Sequence, residues 1–137
     1  MINSALLEAY QTTLYEVFEP KITITIANEN QELQKFLKEN NYSQWCFITA
    51  WNPYSMLLSQ EENTNLNRSL ELDLKDYPIY AGQGKDAKGE WPPEDSYFVA
   101  NISEQQAIAL GTKYNQNAIV FGTLNEKAKL LLLQPVL

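Results

Sequence analysis

The chain has 137 residues, among them no histidine, one cysteine and one arginine. Without histidine it lacks the commonest general base and the commonest transition-metal ligand, so any catalysis falls to carboxylates, hydroxyls, lysine or Cys46. A single cysteine excludes an intrachain disulfide and a cysteine zinc cluster. Cys46 lies in an apolar segment and reads as a small buried hydrophobe rather than a reactive thiol. Ten basic residues stand against seventeen acidic ones, a net charge of −7. With Arg68 the only guanidinium, an electrostatic grip on nucleic-acid backbones is not expected. No apolar run approaches the roughly 18 residues of a membrane span. The opening MINSALLEAYQ has neither the basic flank nor the long apolar centre of a signal peptide. The expectation is a cytoplasmic protein that binds neither membrane nor nucleic acid, with no cofactor and no metal assigned.

What the chain does contain is a hydrophobic fraction of 45%, enough for the core of one domain over residues 1–137. Leu6, Leu7, Tyr10 and Leu14 recur at helical spacing. Tyr15 to Phe18 suits a short strand, and Lys21 to Ala27 (KITITIA) alternates Ile and Thr as a strand does. QELQKFLKENN carries a stripe of Leu33, Phe36 and Leu37, with Asn40-Asn41 as a stop. Trp45 to Ala50 is continuously apolar, a strand buried on both faces. Pro53 breaks the loop that follows. Ser59 and Glu62 then form a capping box that opens a helix with Leu66, Leu70 and Leu74 as its buried stripe. Asn63 and Asn67 fall within about 40° of that stripe, so their amides need partners. YPIYA, SYFVAN and NAIVFG read as further strands, and Ser103 with Gln106 as a second capping box. Gly82-Gln83-Gly84 and KDAKGEWPPED read as a loop in which glycine serves turn geometry. Lys127 to Leu133 reads as a last strand.

The predicted fold class is therefore α+β. Its core is a ferredoxin-like split βαβ unit over about residues 45–122, with an N-terminal helix-strand-helix extension and a C-terminal strand. That topology brings the loops after Trp51, after Gly82 and before Asn117 to one rim. The candidate ligand-binding residues there are Trp51, Asn52, Ser59, Glu62, Asn63, Trp91, Glu94, Gln116 and Asn117, two rings among amides and carboxylates. The same side chains also suit a capped core end and tied loops.

FITAWNP, the S-x-x-EN of Ser59 to Asn63, G-x-G, the Trp91, Glu94 and Ser96 of WPPEDS, and QNAIVFG together resemble the bacterial family called domain of unknown function 3293. The resemblance runs from the first helix onwards. It implies no activity or cofactor. It marks Thr49, Trp51, Asn52, Pro53, Ser59, Glu62, Asn63, Gly82, Gly84, Trp91, Glu94, Gln116 and Asn117 as motif residues.

Three functional classes follow. The first is a small module that recognises a small polar ligand or a peptide segment at the rim. The second is an enzyme using Glu62 and Glu94 as base and acid, with or without a divalent metal. Asp86, Glu90, Glu94 and Asp95 offer carboxylates, but their spacing matches no EF-hand. The third is an acidic interaction or inhibitor protein, or a homodimer through the C-terminal strand, where Leu130 to Leu133 are four consecutive leucines.

Overall fold

Two reciprocal capping boxes set the two longest helices. In the computed structural model, which describes residues 1–137, the Ser59 hydroxyl accepts from the Glu62 N–H at 3.1 Å and the Glu62 carboxylate accepts from the Ser59 N–H at 3.2 Å. Ser103 and Gln106 repeat the exchange. These bonds satisfy donors that a first helical turn leaves over, and they open helices α3 (Gln60–Asp73) and α4 (Glu104–Lys113). The shorter helices α1 (Ser4–Thr12) and α2 (Gln31–Glu39) start at Asn3 and Asn30, whose side chains accept from the N–H groups of Leu6 and Leu33.

Seven strands form one sheet: β1 (Leu14–Val17), β2 (Ile22–Ile24), β3 (Gln44–Ile48), β4 (Ile79–Lys85), β5 (Glu94–Ala100), β6 (Ala118–Thr123) and β7 (Lys129–Leu132). Their order is β2-β1-β4-β5-β3-β6-β7 and every neighbouring pair is antiparallel. The fold is thus mixed α/β, four helices on a seven-stranded antiparallel sheet. No helix is long and apolar enough to cross a membrane.

Because side chains alternate across a strand, β3 serves two cores. Trp45 and Phe47 join Tyr15, Val17, Phe98 and Val120 beneath Leu33 and Leu37 of α2. Cys46 and Ile48 join Val99, Ile119 and Phe121 beneath Leu70 and Leu74 of the α3 end and Ala107 of α4. A strand covered on both sides has no polar face, as the run from Trp45 to Ala50 predicts. Trp45 stacks on Phe98 at 5.2 Å between ring centroids, and its indole fills the place where a Cβ on Gly122 would stand. The leucines of the C-terminal strand also divide between the faces, Leu130 against the first core and Leu131 and Leu133 against the second.

Two expectations are corrected. The N-terminal extension is helix-strand-strand-helix, since β1 enters the sheet beside β4 and β2 pairs with β1 at the edge. Of KITITIA only Ile22–Ile24 pairs, and Ala27 turns the chain with a left-handed φ of 64°. Second, Gly82-Gln83-Gly84 is not a loop. It continues β4, with Gly82 opposite Val17 and Ser96, and Gly84 opposite Tyr15 and Glu94. Neither glycine has a positive φ. Gly82 is needed for a close approach, because a Cβ there would collide with the Glu16 carbonyl oxygen.

Candidate functional site

Beyond Ile48 the ladder between β3 and β5 stops, and side chains of α3 take over its bonding. Asn67 accepts from the Ala50 N–H at 2.8 Å and donates to the Asp95 carbonyl at 2.9 Å, so one amide bridges two backbone groups that an unbroken ladder would pair directly. Thr49 donates its hydroxyl to the same carbonyl at 2.6 Å. One turn earlier, Asn63 accepts from the Asn52 N–H at 2.8 Å and donates to the Asn52 side-chain oxygen at 2.8 Å. That oxygen also accepts from the Leu58 N–H at 3.0 Å. The exchange holds a loop in which Asn52, Tyr54 and Ser55 are all left-handed, with φ of 45°, 53° and 60°. Left-handed backbone costs a residue with a Cβ roughly 1 kcal/mol or more, which the Asn63 pairing offsets.

This loop stands at the end of the sheet where β3 and β4 finish and β1, β5 and β6 begin. Ile2 bonds to Pro135 and Leu137 beside the end of β7, and the chain next enters the sheet at β1. Between these points α1 passes over the strands that separate them. Beneath it the sheet carries small side chains on the face shared with α2, namely Gly84, Ser96 and Ala118, with Tyr15, Phe47 and Val120 around them. A cavity of about 670 Å³ results, roofed by Leu6, Ala9 and Tyr10 and flanked by Trp51, Asn52, Leu58 and the Trp91–Glu94 segment. That size suits a small-molecule ligand. The roof is tied down where Asn117 donates to the Tyr10 hydroxyl at 3.2 Å and to the Ser55 hydroxyl at 3.1 Å, those two hydroxyls being 3.0 Å apart. Tyr15 donates to the Tyr10 carbonyl at 2.7 Å.

Glu94 is the one wall carboxylate on this face. Burial pushes its pKa up to about 7, and the Asn52 amide at 3.5 Å only partly offsets that. No lysine or arginine lines the cavity. Burial likewise pushes the Tyr15 phenol upward, and burial raises the Cys46 thiol in the opposite core.

Of the sequence-predicted residues, Trp51, Asn52, Asn63, Trp91, Glu94 and Gln116 line the cavity, and Ser59, Glu62 and Asn117 do not. Ser59 and Glu62 are exposed and occupied with capping α3, so the predicted pairing of Glu62 with Glu94 does not form in the wall. Asn117 acts from behind by holding Tyr10 and Ser55. The Asn63 amide is consumed by the loop. Gln116 donates to the carbonyls of Trp51 at 3.3 Å and Tyr114 at 3.2 Å. Asp86 folds its own turn, accepting from the Glu90 N–H at 2.7 Å, and no group of three or more acidic or cysteine side chains converges as a metal site.

Sequence reasoning missed the roof. Tyr10 sits in a helix read only as amphipathic, Tyr15 in a segment read only as a strand, and Thr13 between the two, although α1 contains no buried residue. The available signal was the pair of tyrosine hydroxyls within that apolar pattern. A second hollow of about 510 Å³ lies between the start of α2 and the turn after β6, walled by residues such as Glu29, Gln34, Lys38 and Glu126, none of them hydrophobic. It has no hydrophobic or aromatic side chain to enclose a ligand, and the cavity under α1 is the better candidate.

No curated protein and no solved structure matches the chain. A family model described as "Protein of unknown function (DUF3293)" matches residues 48–119, from the last residue of β3 to the second residue of β6, a narrower span than the resemblance running from the first helix. Since that span is more than half of the chain, the protein belongs to this family of proteins of unknown function.

Proposed function

We propose that the protein is a binding module that takes a small ligand, part polar and part apolar, into the cavity beneath α1. The observation that carries this reading is Glu94. A carboxylate withdrawn from water with one amide at 3.5 Å is poorly compensated, and it stands in a space bounded by Trp51, Trp91, Tyr10 and Tyr15. A polar core residue placed only for stability would have found closer partners. We further read residues 45–122 as a ferredoxin-like split βαβ unit. The succession β3-α3-β4-β5-α4-β6 and the local order β6-β3-β5-β4 support this.

The test is a thermal-shift and tryptophan-fluorescence screen of metabolites against the wild type and Ala118→Phe, a substitution that fills the cavity from its floor. A ligand of the cavity raises the wild-type melting temperature by mass action and leaves folded Ala118→Phe unmoved. Compounds that shift both proteins equally, or a broad panel that shifts neither, refute the reading.

A second reading, an enzyme, draws on the same carboxylate. An acid with a pKa of about 7 is suited to giving or taking a proton near neutral pH. With Glu62 outside the wall, that chemistry rests on one carboxylate rather than two. Turnover lost in Glu94→Gln supports this reading, and binding that survives Glu94→Gln with no turnover of any bound compound rules it out.

A further inference from the structure

We propose that the ligand is a small organic amine, a protonated nitrogen on an apolar or aromatic body, with its nitrogen held at Glu94 and its body against Trp51 and Trp91. This rests on the cavity being a ligand site and adds the chemical class that the site accepts.

The hydrogen-bond accounts of the wall point this way. Its side-chain donors are largely spent inside the protein. Tyr15 gives its proton to the Tyr10 carbonyl, Thr13 to the Ala9 carbonyl at 2.6 Å, Thr49 to the Asp95 carbonyl, and Ser96 to the Glu94 carbonyl at 2.9 Å. Asn63 serves Asn52, and Gln116 serves two loop carbonyls. The indole N–H groups and the exposed Gln60 amide are neutral donors that cannot match a full negative charge. An anionic ligand would therefore meet Glu94 without a cation to pair with, since the wall holds no lysine or arginine and the chain no histidine.

A cation meets the opposite situation. The Glu94 carboxylate has lone pairs to spare, and a charge-assisted bond in a partly dry cavity is stronger than a neutral one. The rings that line the cavity, Tyr10, Tyr15, Trp51 and Trp91, carry π systems of the kind that attract an ammonium group and cover an apolar body. Phe47 and Val120 at the floor add apolar contact and no polar atom.

The experiment compares three probes of similar shape, 2-phenylethylamine, 2-phenylethanol and phenylacetate, titrated at pH 8 against wild type and Glu94→Gln with tryptophan fluorescence as the readout. The amine is expected to bind about tenfold or more tighter than the alcohol, the alcohol tighter than the acid, and the amine's advantage to vanish in Glu94→Gln while alcohol binding stays within about twofold. Phenylacetate binding as tightly as the amine, or an amine advantage that survives Glu94→Gln, overturns the amine class and leaves the cavity standing as a site. Failure of all three to bind wild type overturns the amine class as well, and the broad screen against Ala118→Phe then decides the cavity. Should Glu94→Gln not fold, the order of the three probes on the wild type alone decides.

Discussion

Asn52 and Glu94 meet amide to carboxylate at 3.5 Å, and no other side chain in the protein pairs with that carboxylate. The contact joins a strained loop to the first residue of β5 across a cavity, and it is too long to compensate a buried charge.

Glu94 should make the protein less stable as pH rises. Its folded pKa is raised from 4.5 to about 7, so between these values the folded state holds a proton that the unfolded state has released. Stability from this group is complete below about pH 4.5, falls as pH rises, and is lost above about 7, a change of roughly 2 to 3 kcal/mol. Glu94→Gln removes the dependence. Urea denaturation of both proteins should show the variant gaining on the wild type from pH 4.5 to pH 8, and a constant difference would count against a buried, unpaired Glu94.

Asn67 should be among the costliest polar residues to lose. Asn67→Leu keeps the shape but strands the buried Ala50 N–H and leaves the Asp95 carbonyl with the Thr49 hydroxyl alone, for a loss of about 1 to 3 kcal/mol. Asn67→Asp keeps the acceptor for Ala50 but turns an oxygen toward the Asp95 carbonyl, and should also destabilise. Chemical denaturation of the two variants checks this, with near-wild-type midpoints as the contrary result.

Gly82 and Gly84 should respond differently to the same added methyl. Gly82→Ala forces the Glu16 carbonyl aside and should cost about 1 to 3 kcal/mol by overpacking. At Gly84 the nearest atom to a new Cβ is the Thr13 methyl at 3.7 Å, ordinary contact. Gly84→Ala should keep its melting temperature within a few degrees while narrowing the cavity, which weaker binding of any cavity ligand would report.

Asn117 should govern the roof more than the sheet. Asn117→Leu removes both bonds that tie Tyr10 and Ser55 to the start of β6. Amide hydrogen exchange in α1 and in the loop Pro53–Ser55 should speed up by about tenfold, with β3 and β5 unchanged. Uniform acceleration across the sheet would show that Asn117 supports the whole fold instead.

Much of this architecture was legible in the sequence where a local rule acts alone. Both capping boxes announce their helices, and the unbroken apolar run at Trp45 announces a strand with helices on each side. The need of Asn63 and Asn67 for partners was visible from helical angle, though their partners, Asn52, Ala50 and Asp95, depend on where β3 leaves β5. Non-local contacts were not legible. Gly82 and Gly84 look like a turn because paired glycines usually are, and only the pairing of β4 with β1, with Glu16 close against Gly82, shows that the strand runs through them. Tyr10 fell in with the apolar stripe because an amphipathic helix over a cavity has the same spacing as one over a packed face. Glu94 was visible as a rim acid, whereas its isolation rests on Glu62 being turned outward by its cap.

The position of α1 has a consequence for how the cavity can be altered. The span matched by the family model supplies Trp51, Asn52, Trp91 and Glu94, while Leu6, Ala9 and Tyr10 come from a helix outside it that buries no residue of its own. Within that helix the Leu6 and Ala9 side chains make no hydrogen bond to the strands, so they can be exchanged while the ties at Tyr10 stay in place. A container whose lid and vessel are encoded separately can be refitted for new contents by changing the lid alone.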